Sequence, residues 1–305
     1  MADINTTFFL SLILIAAGYI VKRLNVLNER DGEGLAKVIL NVTLPALILD
    51  RITHIQLEAS FAILPVIAIV YSLPVVLIPY FLFRNEPREV RGNMMFVTVG
   101  WNIGLFAYPM IQSIYGTEGF TYIAMFDMGN SLIIFGLCYV IAVTYSPSGA
   151  EVSGKVIAKK LLTLIPLMSY VVALVVNLAG WQFPDLVATI FTYVGDANGP
   201  LVLILLGIYL NFTFDQKDWQ YIGKVLVIRY VAGFCVGLLL FFTLPFNLLA
   251  RLMVFIGLIL PIGMAVVPYS VQYEFNRKLT GTLVNFSIVI SFALMWLILS
   301  LVPIT

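Results

Sequence analysis

Charge is scarce in this 305-residue chain: 11% of its residues are Asp, Glu, Lys or Arg, and His54 is the one histidine. A chain so poor in charge has too little polar surface to coat a water-soluble fold. Cysteine is scarcer still. Cys138 and Cys235 both fall in apolar stretches, far from a histidine or a second cysteine at ligand spacing, which excludes a disulfide framework or a zinc motif and marks both as reduced packing residues. No His-Glu-x-x-His or Cys-x-x-Cys pattern occurs, so an intramembrane hydrolase has no nucleophile, base or metal ligand set, and the expectation is no enzyme activity, no metal and no cofactor. The first apolar stretch lacks a basic leader and is followed by Lys22-Arg23, so it is expected to stay as a helix and not as a cleaved signal.

What the chain has in abundance is apolar length. Hydrophobic residues make up 61% and the mean hydropathy is +1.01. Stretches of ~20 residues, enough for a ~30 Å hydrocarbon core, occur near 5–24, 34–51, 59–83, 92–115, 118–144, 160–179, 186–212, 219–244, 249–272 and 279–302. The expected fold is therefore an all-α integral membrane protein of ten helices. Loops after odd-numbered spans hold Lys22, Arg23, Arg30, Lys37, Arg84, Arg88, Arg91, Lys155, Lys159, Lys160, Lys217, Lys224, Arg277 and Lys278, against Arg51 and Arg251 on the other side. That asymmetry puts both termini outside the cytoplasm, in a plasma or inner membrane. It reads as a topology signal, with no nucleic-acid partner, and the aromatic residues are core and interfacial belt.

Two segments repeat one pattern, Ile-Gly-x-x-x-x-Pro: residues 103–109 and 262–268. The polar stretch 146–160, with Pro147, Gly149 and Gly154, separates a first group of five spans (1–145) from a second (161–305). Five is odd, so two halves of shared fold enter the membrane from opposite sides, as a 5+5 inverted repeat. Spans two and seven carry a second match, polar-x-x-x-Pro, in Asn41 to Pro45 and Asp196 to Pro200. Gly and Pro inside apolar stretches predict broken helices in spans four and nine, with Asn41, Pro45, Gly199, Pro200 and Pro261 as further break or hinge positions.

Proline suits the first turn of a helix, so Pro109 and Pro268 are expected to start half-helices whose amides and dipoles converge near the midplane as an anion site. Gly104 and Gly263 would let backbone approach the substrate. Asn102 precedes the first break and its amide is suited to donate to a carboxylate. Asn130, Asn198 and Asn285 offer either further substrate contacts or interhelical bonds. Asp127, Asp196 and Arg229 are ionisable residues within spans, and such groups are read first as functional. The two acids sit about ten residues from a helix end, ~15 Å deep at ~1.5 Å per residue. They are candidates for coupling H⁺ or Na⁺, or for a structural bridge to Arg229, which could also snorkel to the cytoplasmic interface. Asp50, Arg51 and His54 read as a solvated outer cluster.

The chain resembles the auxin efflux carrier family of bacteria, archaea and plants over almost its whole length. The resemblance rests on Asn41-Val42-Thr43-Leu44-Pro45-Ala46, Asn102 to Pro109, Tyr115-Gly116-Thr117-Glu118-Gly119, Phe126-Asp127-Met128-Gly129-Asn130, Pro261-Ile262-Gly263 and Tyr273-Glu274. It implies a fold shared with bile-acid sodium symporters. Helices 1, 2, 6 and 7 would form a scaffold with a homodimer interface, and helices 3–5 and 8–10 a transport domain in which helices 4 and 9 cross and Asn102 faces a carboxylate. The linker is far shorter than in the plant PIN-type exporters, and Pro261 to Pro268 is two residues longer than their pattern. The prokaryotic members are associated with small carboxylates such as malate and malonate. The expected function is a secondary carrier of a small organic anion, a carboxylate of that kind or an auxin-like acid, working by an elevator mechanism within membrane lipid. The competing readings are a sodium or proton antiporter without organic substrate, or a passive channel or sensor.

Overall fold

The computed structural model describes residues 3–55, 59–147, 152–211 and 218–302. Residues 148–151 of the 146–160 linker, and Lys217 of the basic tally, lie outside them. Helix is the regular structure of the described residues, and their one extended pairing is an isolated antiparallel bridge between Trp101 and Ile262. Six helical runs are long and apolar enough to cross a membrane: Ile4–Arg23, Phe61–Leu82, Ile103–Tyr145, Asp185–Tyr209, Trp219–Thr243 and Arg277–Leu301. A seventh arises if the pair Gly154–Thr163 and Ile165–Leu178, bent by 64°, counts as one span. The other stretches expected to span fall on interrupted or partly charged helices, such as Glu29–Val38 leading to Leu44–Ile52, and Leu248–Leu258 followed by Val266–Gln272.

Two of the interruptions use the same local device. A five-residue π-helical turn, Ile39–Thr43, precedes Leu44-Pro45, and another, Ile103–Ala107, precedes Tyr108-Pro109. Proline cannot donate to the carbonyl four residues back, and its ring collides with it. Widening the turn before the ring relieves the collision while the chain stays helical. The Leu44 amide accordingly reaches back five residues to the Ile39 carbonyl. Gly116 makes a sharper break. Its φ of 61° and ψ of −151° are open only to glycine, and they divide the helical run Tyr108–Leu132.

The chain clusters into two compact units. The first gathers Met1–Phe61, Gly104–Ala124 and Leu162–Leu210. In it, helix Ile4–Arg23 packs on Asn198–Tyr209 through glycine, because a Cβ on Gly207 would stand 2.0 Å from the Ile15 carbonyl oxygen and one on Gly18 2.1 Å from that of Ile204. Lipid gives helices no hydrophobic reason to associate, so close backbone approach of this kind supplies the van der Waals contact. Helix Leu44–Ile52 packs between Ile165–Leu178 and Asp185–Asp196, and Asn177 closes its end by donating to the Ile52 and Ile55 carbonyls, both at 2.8 Å. The second unit gathers Ala62–Ile103, Met125–Leu161 and Asn211–Thr305. Here helix Trp219–Thr243 packs on Leu248–Leu258, Arg88–Thr98 and Arg277–Leu301.

The glycine seam of the first unit yields a direct test. Gly207→Ala is expected to cost about 1–3 kcal/mol through overpacking, whereas Gly223→Ala, where a Cβ meets nothing within 4 Å, should be neutral or stabilising by up to ~1 kcal/mol. Thermal unfolding of the two variants in detergent would separate them; equal midpoints would refute the close packing.

Candidate functional site

Helix Arg88–Thr98 ends at Val99 in extended backbone, and Gly100 follows with φ +79°, a left-handed turn that favours glycine. Helix Leu248–Leu258 likewise ends just before Pro261. Helix ends leave carbonyls without partners, and lipid has no water to supply them. Each break therefore finds its donors inside the second unit. The Asn102 amide donates to the Pro261 carbonyl at 2.8 Å, beside the Trp101–Ile262 bridge. The Ile262 amide donates to Ser287 Oγ at 2.9 Å, Ser291 Oγ donates to the Ile259 carbonyl at 2.7 Å, and Trp101 Nε1 donates to the Leu258 carbonyl at 3.3 Å.

Asn130 clamps the first break from the side. Its Oδ1 accepts from the Trp101 amide at 2.8 Å, and its Nδ2 donates to the Trp101 carbonyl at 2.9 Å and to Asp127 Oδ1 at 2.8 Å. Asp127 is thus one side chain away from the break. Asn102 itself is 4% exposed, and its Nδ2 has no hydrogen-bond partner among the described protein atoms. A buried amide donor left in that state costs ~1–3 kcal/mol. A bound carboxylate oxygen would remove the cost.

Arg229 neither reaches an interface nor pairs with an acid. Its guanidinium is buried and donates to the carbonyls of Thr98 (2.8 Å), Gly100 (2.8 Å), Leu260 (2.9 Å) and Pro261 (3.0 Å). Asp196 also lies elsewhere: in the first unit it pairs with Arg51 at 2.7 Å, its side chain is 58% exposed, and Arg51 also meets Asp50 at 3.2 Å. Asp50 and Arg51 belong to the last turn of helix Leu44–Ile52 and not to a loop. Asn285 donates to the Asn211 carbonyl at 2.8 Å.

The helix starts differ from those expected of the prolines. The helical run begins at Ile103, not Pro109, because the π turn absorbs the ring. Helix Val266–Gln272 is seven residues long with Pro268 third, and its first amides, Val266 and Val267, already donate to the Gly263 and Met264 carbonyls. Gly263 does allow close approach, since a Cβ there would stand 2.7 Å from Ile134 Cδ1 and 3.4 Å from the Trp101 oxygen.

The first unit brings the span-two and span-seven motifs together. Thr43 Oγ1 donates to Asn198 Oδ1 at 2.9 Å, and Gly199 faces Pro109. Asn198 is fully buried and its Nδ2, like that of Asn102, has no partner among the described protein atoms. Pro45 and Pro200 sit in the first turns of their helices, while Asn41 is exposed and bonds only to the Lys37 carbonyl of its own helix. Sequence reasoning missed Trp101, Ser287 and Ser291. The two serines, four residues apart on one helix face, were the available signal.

Apolar helices of membrane-crossing length, with interrupted helices whose loose backbone is sealed by protein groups, define an integral membrane protein of the transport class. A family profile described as membrane transport protein matches residues 4–299, and the chain belongs to that family, the auxin efflux carrier family. It is similar to an uncharacterized transporter of Methanothermobacter thermautotrophicus, 32% identical over 209 residues that cover 67% of each chain. It is also similar to an uncharacterized transporter of Methanocaldococcus jannaschii, 23% identical over 209 residues, 66% of this chain and 67% of the other.

The clamp on Trp101 can be tested by stability. Asn130→Leu strips three hydrogen bonds from buried groups and is expected to cost about 3 kcal/mol or more. Asn41→Ala, on an exposed face, should stay within ~0.5 kcal/mol of wild type. Denaturation of both variants in the same detergent reads the difference, and an unaffected Asn130→Leu would remove the clamp from the account.

Proposed function

We propose that this transporter is a secondary active carrier of a small organic anion, a carboxylate such as malate, malonate or an auxin-like acid. The observation that carries the reading is the buried, unpartnered Nδ2 of Asn102, held at a helix start where the partial positive charge of the backbone favours an anion. A neutral amide donor binds a carboxylate without the grip of an ion pair, which suits a site that must also release its ligand.

The ten-helix inverted repeat belongs to the same proposal. It is supported by the 43-residue run Ile103–Tyr145, about twice the ~20 residues of one crossing and divided at Gly116. The span-two and span-seven motifs joined through Thr43–Asn198, and the Trp101–Ile262 bridge beside the other motif pair, add further support. For an elevator-type movement, helices 1, 2, 6 and 7 serve as scaffold and 3–5 with 8–10 as the transport group. The two contact units support this grouping, except that Gly104–Ala124 clusters with the first. The excess of Lys and Arg after odd-numbered spans supports termini outside the cytoplasm. The homodimer rests on the family resemblance. Of the two intramembrane acids, Asp127 is the better candidate to carry a coupling H⁺ or Na⁺, because Asn130 links it to the break while Asp196 is engaged with Arg51.

The test is uptake and counterflow of radiolabelled malate, malonate and indole-3-acetate in proteoliposomes, with and without pH and Na⁺ gradients. Saturable exchange should fall ~10-fold or more in Asn102→Ala, the worth of one hydrogen bond to a charged group. Absence of carboxylate flux together with cation-driven proton movement would contradict the reading and favour the antiporter.

A further inference from the structure

Arg229 is among the largest fully buried side chains of the protein, yet the carrier reading assigns it no role. All of its hydrogen bonds go to backbone carbonyls, from both breaks, and none of the ion pairs among the described residues includes it. Neutral amides could satisfy carbonyls, so the feature to be explained is the charge. Burying a cation in a membrane protein is costly even when hydrogen bonds satisfy it, which is why such a group is read first as functional. The carbonyl ends of two helices and the face of Trp101, 5.8 Å from the guanidinium carbon to the ring centroid, stabilise it in place.

The position of that charge is informative. The Pro261 carbonyl oxygen accepts from Arg229 Nη2 at 3.0 Å and from the main-chain N–H of Asn102, the residue that carries the site's Nδ2, at 2.8 Å. Two donors sharing one oxygen lie no more than about 6 Å apart. A carboxylate joins the same bond network at Asp127, through Trp101 and Asn130. We propose that Arg229 is the positioning and charge-selecting residue of the Asn102 site: its fork fixes the two breaks against each other, and its charge makes the site take a carboxylate in preference to an uncharged isostere. This inference rests on the carrier reading and assigns what that reading leaves open, the source of selectivity for an anion.

Lysine keeps the charge but cannot span four carbonyls with a planar fork, whereas glutamine keeps some hydrogen bonding and loses the charge. The experiment measures KM and turnover in proteoliposomes of wild type, Arg229→Lys and Arg229→Gln. Each is given whichever of malonate, malate and indole-3-acetate the wild type carries, with the corresponding amide as the uncharged probe. The expected result is a wild-type preference for the acid of ~10-fold or more in turnover over KM. Arg229→Lys should keep that preference while losing ~10-fold in turnover, and Arg229→Gln should bring acid and amide to within ~3-fold of each other. A purely structural brace would lower stability and turnover in both variants without moving the ratio, and that result would overturn the proposal. If Arg229→Gln does not fold, Arg229→Lys is measured as a function of pH: its preference for the acid should fall at high pH, where a buried lysine loses its proton, while wild type keeps it, and a preference that is independent of pH in both would overturn the proposal. Failure of wild type to carry any acid would instead sink the carrier reading, and is read in the wild-type column before any variant is compared.

Discussion

Backbone that leaves the helix inside a bilayer must find every hydrogen bond within the protein. At the two breaks of the second unit that demand is met by few groups. Arg229 takes carbonyls from both, Asn130 takes both polar groups of Trp101, and Ser287 and Ser291 take an amide and a carbonyl near Ile262. The Trp101–Ile262 bridge and the Asn102–Pro261 main-chain bond lie among these groups, and the Asn102 side-chain Nδ2 has no partner among the described residues. The site is thus a remainder of the hydrogen-bond accounting around the breaks.

The prolines act less bluntly than helix breakers. At Pro45 and Pro109 the preceding π turn lets the helix absorb the ring, so the chain bends its ladder without surrendering it. In the second unit the chain turns out of the helix at Val99-Gly100 and between Leu258 and Val266.

Much of this was open to a reader of the sequence. The apolar stretches gave the membrane setting. The repeated Ile-Gly-x-x-x-x-Pro pattern drew attention to segments 103–109 and 262–268, and the isolated bridge of the second unit pairs Ile262 with Trp101, two residues before the first of them. Asn102 stood out because it precedes a break. The partner choices were not legible. Nothing in the local sequence says that Arg229 faces carbonyls and not lipid headgroups, since its neighbour Lys224 makes snorkelling equally reasonable. Asp196 does lie midway along the run Asp185–Tyr209, but its carboxylate meets Arg51 from span two, a partner that its own stretch of sequence does not name. Pro109 and Pro268 do lie in first helical turns, at Tyr108 and Val266, but the helical run at Pro109 begins earlier, at Ile103, because a π turn has no composition of its own.

The central claim is that an anion completes the hydrogen bonding of Asn102. The most direct measurement is an experimental density map of the detergent- or nanodisc-embedded protein saturated with a transported carboxylate. The account predicts density for the carboxylate with an oxygen ~2.7–3.2 Å from Asn102 Nδ2, while the carbonyls of Thr98, Gly100, Leu260 and Pro261 stay on Arg229. A carboxylate bound elsewhere, with Asn102 Nδ2 turned to another protein group, would contradict it.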